Sequence, residues 1–325
     1  MKHRRLHILF WAVLILSAAA FKYVIIAYRQ TNTFVNRSAE SAADKNTVNE
    51  TQILTINLIG ERHCGTKWIT NHLEDCFGSQ VTVLNRYTRY KHWFQYEEDI
   101  TDSRHYYPPN SAIVVAMFRD PYQWVHAMQR KPYHALDHHN LSWERFVATP
   151  WTIERGEKDK ELIESNATNN ATCVHRFNFK EVVPCTTEDR NDWRNGTHSY
   201  NNRGLMYELN HDGSGNPYSS VVDLRRDKIK NFLGVRNYPA VASLFPVQYE
   251  YVVSRGTAGL IDAIENVTGV SAQCEPSPPR DLLPKQLDAN YIEWMNDHVD
   301  WEAENMIGYY NTNTRIPHKK TIIAT

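Results

Sequence analysis

Residues 53–68 read Ile53-Leu54-Thr55-Ile56-Asn57-Leu58-Ile59-Gly60-Glu61-Arg62-His63-Cys64-Gly65-Thr66-Lys67-Trp68. The first seven form a short, nearly unbroken apolar run that ends at a glycine, which predicts a buried strand. Gly60 to Gly65 predicts a turn, and Thr66 to Phe77 a helix. A glycine-rich turn between a strand and a helix N-terminus aims several backbone N–H groups at one point, where they cradle an anion. Thr66 adds a hydroxyl there, and Arg62 and Lys67 add positive charge.

Outward from this stretch the pattern repeats. Ala112-Ile113-Val114-Val115-Ala116-Met117-Phe118 predicts a second buried strand, and Val247 to Val253 a third. Gln80 to Leu84 and Arg89 to Phe94 are weaker strand candidates. Helices are expected from Pro121, where proline fits the first turn, and over Ser142–Thr149, Tyr218–Phe232, Thr257–Val267 and Tyr291–Tyr310. Strands alternating with helices predict an α/β fold, a three-layer, P-loop-like domain over residues 51–311 with a central parallel sheet. Trp151 to Pro217 lacks periodicity and is rich in Asn, as expected of a loop-rich insertion. Arg119, directly after the second strand, stands where open α/β sheets bind ligands and is suited to clamp a phosphate. Asp223, Arg225, Arg226 and Lys228 form a charged helix face, which is ordinarily solvated.

The 325-residue chain has 42% hydrophobic and 22% charged residues, which supports a globular core. A formal net charge of -1 gives no basic excess for nonspecific nucleic-acid binding, so an anion site must be built locally. Lys2, Arg4 and Arg5 precede an apolar segment over residues 6–28, interrupted by Lys22 and long enough at about 22 residues to cross a bilayer. The basic flank predicts a cytosolic tail (1–5), a membrane anchor (6–28) and a luminal remainder. A cleaved signal peptide with a small-residue site at Ala18–Ala20 is the alternative. Residues 29–50 read as a polar stem and 312–325 as a tail. Asn-x-Ser/Thr sequons at Asn36, Asn49, Asn140, Asn166, Asn170, Asn195 and Asn266 agree with a luminal, glycosylated body. In an oxidising lumen some cysteines should pair. Cys173 and Cys185, bracketing a short polar loop, are the expected disulfide. About 12 residues of helix, roughly 18 Å, keep Cys64 from Cys76. Metal spacing is absent. His134, Asp137, His138 and His139 share a polar loop, where adjacent histidines are more often solvated than metal-bound.

Gly60 and Gly65 have the spacing of a nucleoside-triphosphate loop, but Thr66-Lys67 transposes the Lys-Ser/Thr pair that follows it there. Instead, Arg62-His63-Cys64-Gly65-Thr66-Lys67-Trp68 and Phe118-Arg119-Asp120-Pro121 together resemble the 5'-phosphosulfate loop and the 3'-phosphate motif of the sulfotransferase family. Gln248-Tyr249-Glu250-Tyr251-Val252-Val253 resembles its Y-E-D-L strand. Trp301-Glu302-Ala303-Glu304-Asn305-Met306-Ile307-Gly308-Tyr309 resembles the terminal helix of Golgi members. The likeness spans about Ile53 to Tyr310.

This resemblance implies a Golgi type II membrane enzyme. It would move a sulfuryl group from 3'-phosphoadenosine 5'-phosphosulfate to a hydroxyl or amine of an acceptor, foremost a glycan, without a metal. Arg62, His63, Cys64, Gly65, Thr66, Lys67, Trp68 and Arg119 would bind the donor. Two positions depart from the family. His63 replaces a cation, so Arg62, Lys67 or a protonated His63 must stabilise the leaving phosphate, and a helix N-terminus lowers a histidine pKa. Ala127 replaces a serine that touches the 3'-phosphate. The catalytic base is expected between the two motifs. His92 has a suitable unperturbed pKa, Glu97 and Glu98 are alternatives, and a structural His92 is the third possibility. Trp93, Trp124, Trp143 and Trp151 are core residues or sugar platforms. The departures at His63 and Ala127 also fit a catalytically inactive lectin or scaffold, whereas a luminal kinase would need a magnesium carboxylate and Lys-Ser/Thr after Gly65.

Overall fold

The computed structural model describes residues 52–97, 107–133, 135–152, 207–210, 214–281 and 286–311, with isolated positions at 154, 157, 160 and 161. Four strands form one parallel sheet: β1 (Thr55–Gly60), β2 (Thr82–Leu84), β3 (Ala112–Phe118) and β4 (Val241–Gln248), in the order β2-β1-β3-β4. The α/β expectation holds for these residues. The expected anchor, stem and C-terminal tail lie outside them. Among the described residues no helix is long and apolar enough to cross a membrane.

Every residue of β3 is buried, which explains why it reads as an unbroken apolar run. Its side chains alternate between two core clusters. Ile113, Val115 and Met117 join Ile56 and Leu58 of β1 on one face. Ala112, Val114, Ala116 and Phe118 join Ile59 on the other. The first face packs against α1 (Thr66–Phe77), α2 (Pro121–Arg130), α3 (Trp143–Ala148), α5 (Tyr249–Arg255), α6 (Ala258–Thr268) and α7 (Ala289–His298). The second packs against the C-terminal half of α4 (Val221–Gly234) and α8 (Trp301–Met306). In α1 the buried Ile69, Leu73, Cys76 and Phe77 fall at the spacing of one helix face. In α2, Pro121 occupies the first turn and the Asp120 side chain accepts from the Gln123 N–H at 3.0 Å.

Three expectations are corrected. The third strand is Val241–Gln248, and Tyr249–Arg255 is a helix. Pro246 obscures β4 in the sequence, and it is tolerated because β4 is an edge strand. Arg89–Phe94 is a chain of turns with only a bridge between Arg86 and Tyr90 nearby. Tyr291–Tyr310 is two helices, because Asp300 caps a new one by accepting from the Ala303 N–H at 3.0 Å.

Cys173 and Cys185 lie outside the described residues. Cys76 at the end of α1 is bonded to Cys274, 198 residues away, with Cα atoms 4.5 Å apart. Cys64 is free and buried. In the chain-entropy account a crosslink of this span is worth about 5 kcal/mol. Replacing both Cys76 and Cys274 by serine should lower the denaturant midpoint accordingly. An unchanged midpoint, with both thiols of the parent protein open to alkylation, would contradict the bond.

Candidate anion-binding site at the strand ends

The chain runs from β1 to β2 on one side and returns through β3 on the other. The carboxyl ends of β1 and β3 therefore flank the switch point where open α/β sheets take ligands. The loop after β1 and the turn after β3 both lie there.

The first loop is shaped by left-handed backbone. His63 has φ 65° and Gly65 φ 78°. A Cβ on Gly65 would come within 2.7 Å of the Tyr249 ring, and one on Gly60 within 2.6 Å of the Met117 carbonyl. The loop delivers α1 with no side-chain cap at its N-terminus, so the first-turn N–H groups are left without intrahelical partners. Lys67 is exposed on that turn, while Thr66 is buried and Trp68 half-buried. The Arg280 guanidinium lies 4.8 Å from the Trp68 ring centroid. Cys64 donates its thiol to the Arg62 carbonyl at 3.6 Å, and burial pushes that thiol's pKa up, away from nucleophilic use.

Arg62 is drawn inward: its Nη1 donates to Glu208 Oε1 at 2.9 Å in a buried pair. His63 donates from Nε2 to the Lys131 carbonyl at 3.0 Å and packs against Tyr133. Burial, aided by Arg119, Arg62 and Lys131, lowers its pKa to about 4. The ring is neutral, as the helix-terminus argument anticipates, although burial is the main cause. The exposed cation on this loop is Lys67.

Arg119 joins the two loops. Its Nη1 donates to the His63 carbonyl at 3.1 Å and its guanidinium lies over the Tyr249 ring. Its Nε is buried with no hydrogen-bond partner, 3.9 Å from Glu250 Oε1. Glu250 accepts from the Asp120 N–H and from the Tyr309 hydroxyl at 2.6 Å. Ala127 is half-buried on α2.

His92 sits on the turn segment before Phe94. Its ring nitrogen Nδ1 is 2.7 Å from the Gly60 carbonyl. A carbonyl only accepts, so Nδ1 carries the proton and Nε2 of the neutral ring keeps its lone pair. Burial, then Arg62, holds its pKa well below the ordinary histidine value. The turn is built on Gln95, which sequence reasoning missed. Its side-chain oxygen accepts from Thr88 and from the Arg89 N–H, and its nitrogen donates to the Tyr90 and Trp93 carbonyls. Glu97 is exposed and Glu98 lies outside the described residues.

The charged helix face is the main surprise. Asp223 and Arg226 are half-buried and pair with each other at 3.1 Å. Arg225 and Lys228, however, are almost fully buried. Arg225 donates to both oxygens of Glu304, to Glu61 Oε2 at 2.7 Å and to the Arg119 carbonyl at 2.7 Å. Lys228 donates to Glu208 and to the His92 carbonyl. Asn231 exchanges hydrogen bonds with the Gln95 backbone. One stripe of α4, at a spacing of three, thus holds all three loops of the site.

The other residues expected from the sequence are scattered. His138 is buried against Phe146 and Trp151, with Nε2 on the Thr149 carbonyl. Asp137 and His139 are exposed, and His134 is outside the described residues. Among the described residues the group with metal-ligand geometry is His72, Cys76 and Cys274, whose sulfurs are committed to each other. Trp124 and Trp151 are core residues, and Trp93 and Trp143 are half-buried. Asn140 and Asn266 are exposed, and Asn36, Asn49, Asn166, Asn170 and Asn195 are outside the described residues.

Fold and site define a class: a parallel α/β sheet whose strand ends meet an uncapped helix N-terminus, an arginine and a neutral histidine. No family model, no curated protein and no solved structure matches this chain.

With its pKa held well down by burial, the His92 ring stays neutral as pH falls through about 6.5, the unperturbed value. Histidine NMR should show its Cε1 resonance unmoved across that range. A His92 midpoint at or above 6.5 would contradict this environment.

Proposed function

We propose that the protein is a sulfotransferase that moves a sulfuryl group from 3'-phosphoadenosine 5'-phosphosulfate onto a hydroxyl or amine, foremost of a glycan. The domain is read as three-layered and P-loop-like, held luminally in the Golgi by one N-terminal membrane anchor. The observation that carries the reading is the Nδ1 contact of His92 with Gly60, the first residue of the anion loop. It ties the candidate base to the candidate donor site.

In this reading the first-turn N–H groups of α1 and Lys67 hold the phosphosulfate, and Arg119 holds the 3'-phosphate. His92 Nε2 takes the acceptor proton. The acceptor oxygen or nitrogen forms the new bond to sulfur as the bond to the phosphate oxygen breaks, and adenosine 3',5'-bisphosphate leaves. Positioning and charge stabilisation supply the catalysis, by analogy with phosphoryl transfer. Arg62 acts through Glu208 as a brace.

A catalytically inactive, sugar-binding relative is the second reading. It is favoured by the neutral His63, bonded to the Lys131 carbonyl where the resemblance implies a cation.

Transfer of radiolabelled sulfuryl groups by the purified protein across a glycan panel decides between them. Bisphosphate binding and labelled product support the enzyme, whereas sugar binding without turnover supports the second reading.

His92→Ala should leave bisphosphate affinity nearly intact and slow single-turnover transfer by about 10²–10⁴-fold. The rate of the parent enzyme should be level through about pH 6–7 and fall only at lower pH, because the neutral ring is the active form. A full-speed, fully stable variant ends the assignment, and a loss that merely tracks melting temperature makes His92 structural.

Arg119→Ala should weaken bisphosphate binding by about 30- to 1000-fold, the cost of a charge-assisted contact at a desolvated site. Unchanged affinity would remove Arg119 from the site.

A further inference from the structure

Six charged side chains in and behind the β1 loop pair with one another. Glu61, Glu208 and Glu304 face Arg62, Arg225 and Lys228, and all six are buried. They balance three against three when all are ionised. Glu304 gives both oxygens to Arg225. Glu208 gives one oxygen to Arg62 and Lys228 and the other to the Trp151 indole at 2.8 Å. Glu61 is held by one oxygen only, on Arg225, while its Oε1 is buried with no hydrogen-bond partner.

An anion entering the adjacent loop adds negative charge that this balanced set does not offset. In a poorly solvated site the cheapest relief is to neutralise the carboxylate with the fewest hydrogen bonds. Glu61 fits on geometry, since its unpartnered oxygen has room in its hydrogen bonding for a proton. Burial, outweighing Arg225 and Lys228, already holds its carboxyl up at about 7, with Glu304 and Glu208 pushing the same way. The remaining groups nearby are the buried thiol of Cys64, and Arg119, Asp120 and Glu250 at the ends of β3 and β4.

We propose that Glu61 is a proton-coupled partner of the anion loop: binding of a phosphate- or phosphosulfate-bearing ligand at Gly60–Gly65 is accompanied by uptake of a solvent proton onto the Glu61 carboxylate. The inference rests on the loop being an anion site, but not on which anion the protein uses. Its sign follows from linkage. The bound state holds more protons, so affinity falls as pH rises through about 7, approaching tenfold per unit above it. His63 and His92 are the competing proton acceptors, because both are neutral before binding.

The test is calorimetry on the full chain near pH 7.5, where uptake is on the order of one proton per ligand. Adenosine 3',5'-bisphosphate and inorganic pyrophosphate are each titrated in buffers of different ionisation enthalpy. The expected result is uptake with the parent protein, no uptake with Glu61→Gln, and retained uptake with His92→Gln and His63→Gln. Binding without uptake, or uptake that survives Glu61→Gln, overturns the inference and leaves the donor reading standing. Pyrophosphate bound with Glu61-dependent uptake, but no bisphosphate binding, supports the inference and sinks the donor reading. If neither anion binds, both fall. Should Glu61→Gln not fold, the infrared difference spectrum of the parent protein decides: a protonated-carboxyl C=O band must grow on binding, and its absence refutes the proposal.

Discussion

A guanidinium excluded from water must find acceptors for its donors or leave them at a cost. Arg225 finds them on three separate parts of the chain: Glu61 after β1, the Arg119 carbonyl after β3, and Glu304 on α8. Its flat face covers Trp124, whose indole N–H in turn donates to the Arg62 carbonyl at 2.9 Å. The two loops of the candidate site thus share one fixed point. Lys228 and Asn231 extend the arrangement along α4 to the turn that carries His92. The terminal segment closes it from the other side, with Glu304 on Arg225 and Tyr309 on Glu250. Gly308 has φ 80°, and a Cβ there would lie 2.8 Å from Nε2 of the Gln248 side chain, which donates to the Ile307 carbonyl at 3.0 Å.

Such a network is a poor source of stability for its size. Removing several ionic groups from water costs about as much as their mutual attraction returns, and well-packed apolar replacements often do as well. What the network supplies is geometry. Arginine's planar fork meets its acceptors from fixed directions, which a lysine at Arg225 would not reproduce. The loop conformation agrees with the same constraint: His63, a non-glycine residue in left-handed backbone, sits in a loop tied down on both sides.

Much of this architecture is legible in the sequence, and the exceptions have physical causes. Strands β1 and β3 are central, buried on both faces and flanked by turn residues, so local composition is enough to find them. Strand β4 is hidden by Pro246, and its pairing with β3 is irregular between Ala112 and Ile113. The positions of Arg119 and the Gly60–Gly65 loop follow from strand-to-helix junctions, which are local features. Arg225 and Lys228 are misread because charges three apart on a helix are ordinarily solvated. Only their distant partners, Glu61, Glu304 and Glu208, make burial tolerable. Gln95 gives no sequence signal at all, since its role is to bond the backbone of its own turn. Arg62 reads as a ligand-facing cation but is paired with Glu208, at a sequence separation of 146.

The Cys76–Cys274 bond has a consequence for biosynthesis. Cys76 must wait for its partner while 198 further residues are made, roughly 10–40 s at ordinary elongation rates. Cys64 is already made when Cys76 appears, and Cys173 and Cys185 emerge during that interval, so three other thiols precede the native partner. A nascent chain in an oxidising compartment is therefore exposed to premature crosslinks that only thiol–disulfide exchange can undo. In the proposed luminal setting, maturation would draw on an isomerase more than the modest number of cysteines suggests.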